Sequence, residues 1–320
     1  MVSRRSFLIH LPIGAMLTAK VALAQGRYPD HPVRFVTPVA AGSGTDVMAR
    51  QVAAALNAAW GVAVVVENKP GAGGSIGTAH VASAAPDGYT LLITFSTHYT
   101  TPWLTQTSYD AVADFKPVSR LASTTLFMVT GKSSPLKTVA DVITASKRAP
   151  GSINYGSAGQ GTPSHMSGAL LASMAGIEMT HAPYRNGSQA LVDTVNGQVQ
   201  VAFSGQAALP LVRSGDLRLL AVTAGKRSAH LPDVPTINEA AGIQGYDLAS
   251  PIWVMAPQDT PDAVINKLSA AFSVITATPE FAAFCAAQFL ERDYQPAGQV
   301  ESTAREESEK WRRLVELTKA

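Results

Sequence analysis

The chain holds a single cysteine, Cys285, in 320 residues. No internal disulfide and no thiolate metal site can be assembled from it. Charge is scarce as well: Asp, Glu, Lys and Arg make up 15% of the residues, and the formal net charge is +2. With no basic run or basic domain, nucleic acid and anionic membrane surfaces are excluded as electrostatic partners. The seven histidines show neither H-E-x-x-H nor a paired-ligand spacing, so a metal site has no footing there either. Beyond the N-terminus no apolar run approaches the roughly 20 residues that a bilayer span requires. Apolar residues are abundant, at 46%, enough for a full core in two compact units and too many for a disordered or fibrous chain.

The first residues, "MVSRRSFLIHLPIGAMLTAKVALAQ", combine a basic start, an apolar stretch and a small-x-small site at Ala22-Leu23-Ala24. Residues 1–24 are therefore expected to be a removed export signal. "SRRSFL" resembles the twin-arginine signature, and Lys20 disfavours the general route; ordinary signals also carry arginine pairs, so both routes stay open. Loss of Arg4, Arg5 and Lys20 leaves 22 basic against 23 acidic residues. No cysteine stands at the cleavage site to carry a lipid. A free, soluble, monomeric periplasmic protein without cofactor is the expectation.

From Val33 onward β-type runs alternate with helical segments: "VRFVTPV", "TDVMARQVAAALNAAW", "VAVVVEN", "IGTAHVASAA", "YTLLITFS". Short apolar strands separated by helices of about 10–16 residues indicate parallel βαβ units and an α/β fold. The rhythm restarts after "TTLFMVTG" and runs through "LRLLAVTA", which suggests two lobes. A later β-type run, "YDLASPIWVMAP", offers a return to the first lobe. The chain then ends in helices.

Two strand-to-helix junctions are rich in glycine and hydroxyls. Gly42, Ser43, Gly44 and Thr45 precede the first helix, and "YGSAGQGTPSH" precedes a later one. Such a junction aims backbone N–H groups and the positive end of a helix at one spot, which suits an anion. Nucleotide fingerprints fail: Gly156 to Gly161 has the P-loop spacing but continues with Thr162-Pro163, and "GAGGSIG" has Ile76 where G-x-G-x-x-G needs its third glycine. Ser157 is out of register for G-x-S-x-G, and no nucleophile–base pair is recognisable, so no enzyme is expected. His165 suits either ligand contact or local packing. Asp46 suits helix capping, Arg185 a carboxylate or an inter-lobe salt bridge, and Trp253 the core or an aromatic platform.

"YPDHPVRFVTPVAAGSGTDVMARQVAAAL", "VVVENKPGAGGSIGTAHVASAAPDGYTLL", "INYGSAGQGTPSHMSGALL", "HAPYRNGSQALVDTVNGQVQVAF" and "LRLLAVTAGKRSAHLPDVPTINEAAG", in that order, resemble the substrate-binding proteins of tripartite tricarboxylate transporters, the Bug receptors. The resemblance implies a two-lobed periplasmic binding protein of Venus-flytrap type, each lobe a mainly parallel sheet flanked by helices. Lobe one is expected at 25–125 plus 250–320 and lobe two at 126–249, with crossing strands at "TTLFMVTG" and "SPIWVMAP". The receptor would deliver a small carboxylic acid to membrane permease subunits; a sensing role, or a hydrolase on the same scaffold, is the alternative.

Carried onto this chain, the carboxylate-gripping positions are Ala41, Ser43, Gly44 and Thr45 in the first loop, and Ser157, Ala158, Gly159, Gln160 and Thr162 in the second. Asn186, Gly187 and Ser188 resemble a third contact, and Thr97 and Ser204 resemble side-pocket residues. Ala41, Ser43, Gln160, Pro251 and Trp253 depart from the common family pattern. From Trp253 a larger or aromatic carboxylate is one expectation.

Overall fold

The computed structural model describes residues 28–318; the expected export signal, residues 1–24, lies outside them. In chain order the elements are β1 (Val33–Thr37), α1 (Gly44–Trp60), β2 (Val64–Asn68), α2 (Ser75–Ala82), β3 (Thr90–Thr94), α3 (Thr97–Leu104), β4 (Phe115–Thr124) and β5 (Phe127–Gly131). There follow α4 (Val139–Arg148), β6 (Asn154–Ser157), α5 (Pro163–Ala175), β7 (Thr180–Pro183), α6 (Gly187–Val195), β8 (Val201–Ser204), α7 (Leu209–Arg213), β9 (Leu217–Val222) and α8 (Ile237–Ala241). The chain ends with β10 (Ser250–Pro257), α9 (Asp262–Thr276), α10 (Pro279–Gln288), β11 (Leu290–Glu291), β12 (Gln295–Pro296) and α11 (Ala297–Leu317).

Two sheets result. The first runs β11-β4-β10-β3-β1-β2, with β12 also on β4, and the second runs β7-β6-β8-β5-β9. The expected βαβ units are present as the parallel pairs β1·β2, β1·β3, β6·β7 and β6·β8. Each sheet is nevertheless mixed rather than mainly parallel. β10 lies antiparallel between β3 and β4, and β5 lies antiparallel between β8 and β9.

The chain leaves the first sheet at Thr124 and joins the second at Phe127. It returns before β10: the Leu248 amide still donates to the Thr223 carbonyl just past β9 (2.9 Å), whereas "SPIWVMAP" pairs wholly within the first sheet. "TTLFMVTG" likewise is not one strand but the end of β4 and the whole of β5, so both crossings are short connections beside the strands named from sequence.

Strand alternation shows how the core divides. In β10, Ile252, Val254 and Ala256 pack with Phe35, Leu91 and Phe272 on one face, while Trp253 and Met255 point to the other, the period of two that a pleated strand imposes. In β5, Phe127 and Val129 join Leu191 and Leu217, while Met128 turns to the opposite face. Those two opposite faces drain into one cluster, through Tyr99 of α3, Met166 of α5 and Trp311 of α11. The two sheets thus share one apolar cluster. None of the described helices alone is long and apolar enough to cross a membrane.

Candidate functional site

Two helices begin where the sequence puts its glycine-rich junctions, and a third at the contact carried over from the family resemblance. Ser43 caps α1, accepting the Asp46 amide (3.4 Å). Thr162 caps α5, with Pro163 in the first turn, where its missing N–H costs nothing. Asn186 caps α6 through its side-chain oxygen, 3.1 Å from the Gln189 amide. In each case a short polar side chain satisfies one of the orphan N–H groups of the first turn and leaves others free to face outward.

A cavity of about 470 Å³ is lined from both sheets. Gly44 and Thr45 enter it from α1, Pro163 and Ser164 from α5, and Gly187 and Ser188 from α6. The first-turn amides of Gly44, Thr45, Ser164, Gly187 and Ser188 have no acceptor within their own helices. The cavity lining carries no Asp, Glu, Lys, Arg or His. Its attraction for a solute comes from backbone dipoles and hydroxyls, which favours an anion.

Of the positions named from sequence, Ser43, Gly44, Thr45, Ala158, Thr162, Gly187, Ser188 and Ser204 come together in this lining. Ala41, Thr97, Ser157, Gly159, Gln160, His165 and Asn186 lie outside it. The reasons are local. Ser157 is wholly buried, its hydroxyl 2.6 Å from His181 Nε2 and accepting the Gly159 amide at 3.1 Å. His165 Nδ1 accepts the Gly161 amide (3.2 Å), and its ring stacks on His181 at 3.8 Å. The Gly159 carbonyl is taken by the Thr162 hydroxyl (2.6 Å), the Asn186 side-chain oxygen caps α6, and Ala41 and Gln160 are exposed. Thr97 is the first residue of a helix, α3.

Burial pushes both His165 and His181 down to about 4, His181 adding repulsion to His165. The pair is neutral at physiological pH and braces the second glycine loop from beneath. Asp46 does the same for the first loop. Its buried carboxylate accepts the Gly42 amide (2.8 Å), Arg50 Nε (3.0 Å) and Asn68 Nδ2 (2.8 Å). Burial works against the ionised form, but hydrogen bonds from Arg50, Gly42 and Asn68 outweigh it and hold the carboxyl below its usual range. Arg185 is exposed and Trp253 is 0% exposed; neither lines the cavity.

Other wall residues escaped the sequence reading. Phe95 follows β3, Thr124, Thr125 and Leu126 form the outward crossing, and Gln288, Phe289 and Leu290 reach in from the α10–β11 turn. Thr125 is 5% exposed, and its hydroxyl has no partner among the described residues.

Matched against known proteins, residues 48–319 fit the family described as Tripartite tricarboxylate transporter family receptor. The chain belongs to this family. The receptor is 34% identical over 321 residues to a Cupriavidus necator UPF0065 protein in the gbd 5' region, covering 98% of each chain. Among solved structures it is similar to R. palustris Rpa4515 with adipate, at TM-score 0.81 and 31% identity over 91% of this chain and 98% of that one. It is similar also to MatC (Rpa3494) from Rhodopseudomonas palustris with bound malate, at TM-score 0.76 and 28% identity over 90% of this chain and 100% of that one. The receptor has the two-lobed fold of periplasmic binding proteins.

Proposed function

We propose that the receptor works in the periplasm, closes its two lobes on a small carboxylic acid and delivers the acid to the membrane permease of a tripartite tricarboxylate-type transporter. The lobes in this reading are residues 25–125 with 250–320, and residues 126–249. The observation that carries it is the convergence of the α1, α5 and α6 amino termini on a cavity free of charged side chains. α1 belongs to one lobe and α5 and α6 to the other, so a single carboxylate meets all three only when the lobes are together. Closure is then a shift in population driven by contacts that the open form lacks.

The magnitudes suit a scavenging receptor. Hydrogen bonds to a charged group contribute about 1.5–3 kcal/mol each. A few of them cover the roughly −8 kcal/mol of micromolar binding after the cost of immobilising ligand and lobes. The acids named with Rpa4515 and MatC, adipate and malate, support a carboxylate here.

The Ser157–His181 contact invites a hydrolase reading, but the Ser157 hydroxyl is buried and outside the cavity, where no substrate carbonyl reaches it. A thermal-shift panel of carboxylic acids, each beside its amide, tests the proposal. An acid that raises the melting temperature while its amide does not supports it through linkage; equal shifts for acid and amide refute it.

A further inference from the structure

The polar side chains of the cavity wall fall into two groups. Thr124 gives its hydroxyl to the Ser250 carbonyl (3.1 Å), Thr162 gives its own to the Gly159 carbonyl (2.6 Å), and the Ser164 hydroxyl receives the Ala158 amide (2.9 Å). Those groups hold the fold. Thr125, Ser204, Gln206 and Gln288 line the same cavity, yet their side chains make no hydrogen bond to any described residue. Thr125 is 5% exposed and Ser204 6%, so bulk water scarcely reaches either hydroxyl. Buried polar groups are satisfied in folded proteins as a rule, and one left open calls for a partner.

Strand pairing gathers the four at one place. Phe127 lies opposite Ser204 on β8, and Thr124 lies opposite Leu290 on β11. The outward crossing, Thr125 and Leu126, therefore passes close both to the segment Ser204–Gln206 and to the segment Gln288–Leu290, all of it cavity wall. A Cβ placed on Gly187, the first residue of α6, would come 3.4 Å from Ser204 Oγ. The cluster thus adjoins one of the three helix termini. Its hydroxyls and amides offer donors and acceptors without charge.

We infer that these residues form a second, uncharged polar subsite, and that the acid taken by the receptor carries a second hydrogen-bonding group, a hydroxyl or a further carboxyl, which meets the Thr125 hydroxyl. The inference rests on the carboxylate reading above and deepens it. An acid with an alkyl end in the same place would leave these groups desolvated and unpaired, which is how a polar pocket rejects an apolar analogue. Thr125 is thereby a specificity-determining residue at the crossing between the sheets. Trp253, from which a larger or aromatic acid was expected, lies outside the lining.

Calorimetric titration of the receptor with acids matched in length tests it: pentanoate, 4-hydroxybutyrate and glutarate in one set, heptanoate, 6-hydroxyhexanoate and pimelate in another, with pentanamide and heptanamide as controls. In at least one set the hydroxy acid or the diacid should bind at least about tenfold tighter than the alkyl acid. Thr125→Val, which keeps the shape and removes the hydroxyl, should cut that advantage by about fivefold or more, and Thr125→Ser, which keeps the hydroxyl, should retain most of it. Alkyl acids binding as tightly as their polar counterparts in both sets, an advantage undiminished in Thr125→Val, or one lost equally in Thr125→Ser would overturn the inference and leave the carboxylate reading standing. No acid binding better than the amide of its set would overturn both.

Discussion

The Thr100 hydroxyl in α3 donates to the Gly161 carbonyl at 3.0 Å, and both residues are buried. This bond joins a helix of the first lobe to the glycine loop of the second. Gly161 has φ +77°, and a Cβ there would lie 2.2 Å from Leu104 Cδ1. Glycine is therefore favoured for the backbone conformation, while the Leu104 side-chain end would have to rotate away from any Cβ.

Gly161→Val should distort the second glycine loop, because a β-branched residue is strained at φ +77°. Ligand affinity is expected to fall by more than about tenfold, while the unliganded protein still melts cooperatively. Thr100→Val removes one neutral hydrogen bond, a loss of about 1 kcal/mol, and should weaken binding only a few fold. An unchanged affinity in Gly161→Val would show that binding does not depend on the conformation of this loop.

Thr125→Val separates binding from stability. The native hydroxyl is buried without a partner among the described residues, an arrangement that costs the protein about 1–3 kcal/mol unless a ligand oxygen or a water meets it. The substitution should leave the unliganded protein as stable or more stable in urea denaturation, and yet reduce ligand affinity. A fall in both would place the hydroxyl in the fold rather than the site.

The His165–His181 stack makes the receptor acid-sensitive. Both imidazoles titrate near 4 when folded, against an ordinary value of 6.5, so the unfolded chain takes up protons first as pH falls. Stability contributed by the neutral pair is complete above about pH 6.5 and is lost as pH drops toward 4. Protonation of His165 Nδ1 also breaks its bond from the Gly161 amide, so affinity of the folded receptor should fall only as pH approaches 4. Melting temperature measured from pH 8 to 4 should be flat and then decline, and the His165→Phe, His181→Gln double variant should shrink the decline.

Trp253 acts through the core. Its ring is fully buried and meets Tyr99 edge-on at 6.4 Å. Trp253→Ala should cost about 3–5 kcal/mol in denaturant unfolding and leave the ranking of ligands unchanged, which calorimetry with the same acids checks.

The sequence determined the local pieces of this receptor. Alternating apolar strands and amphipathic helices give the βαβ units, and Ser43, Thr162 and Asn186 in front of helical segments fix where three amino termini begin, because capping needs only residues a few positions apart. Gly44 and Thr45 were legible for that reason, and Gly187 and Ser188 only through the family resemblance. Side-chain direction within the loops was not: Ser157 and His165 look like ligand contacts in a glycine-rich stretch, but the stack with His181, 24 residues beyond Ser157, draws them into the core. Phe95, Thr125 and Phe289 carried no local signal at all. They meet because β10 inserts between β3 and β4, and because β11 pairs with the end of β4, which brings the α10–β11 turn beside the crossing between the sheets. Sheet order is decided by which faces bury together across the whole chain, so only the tertiary structure set the wall that faces the helix termini.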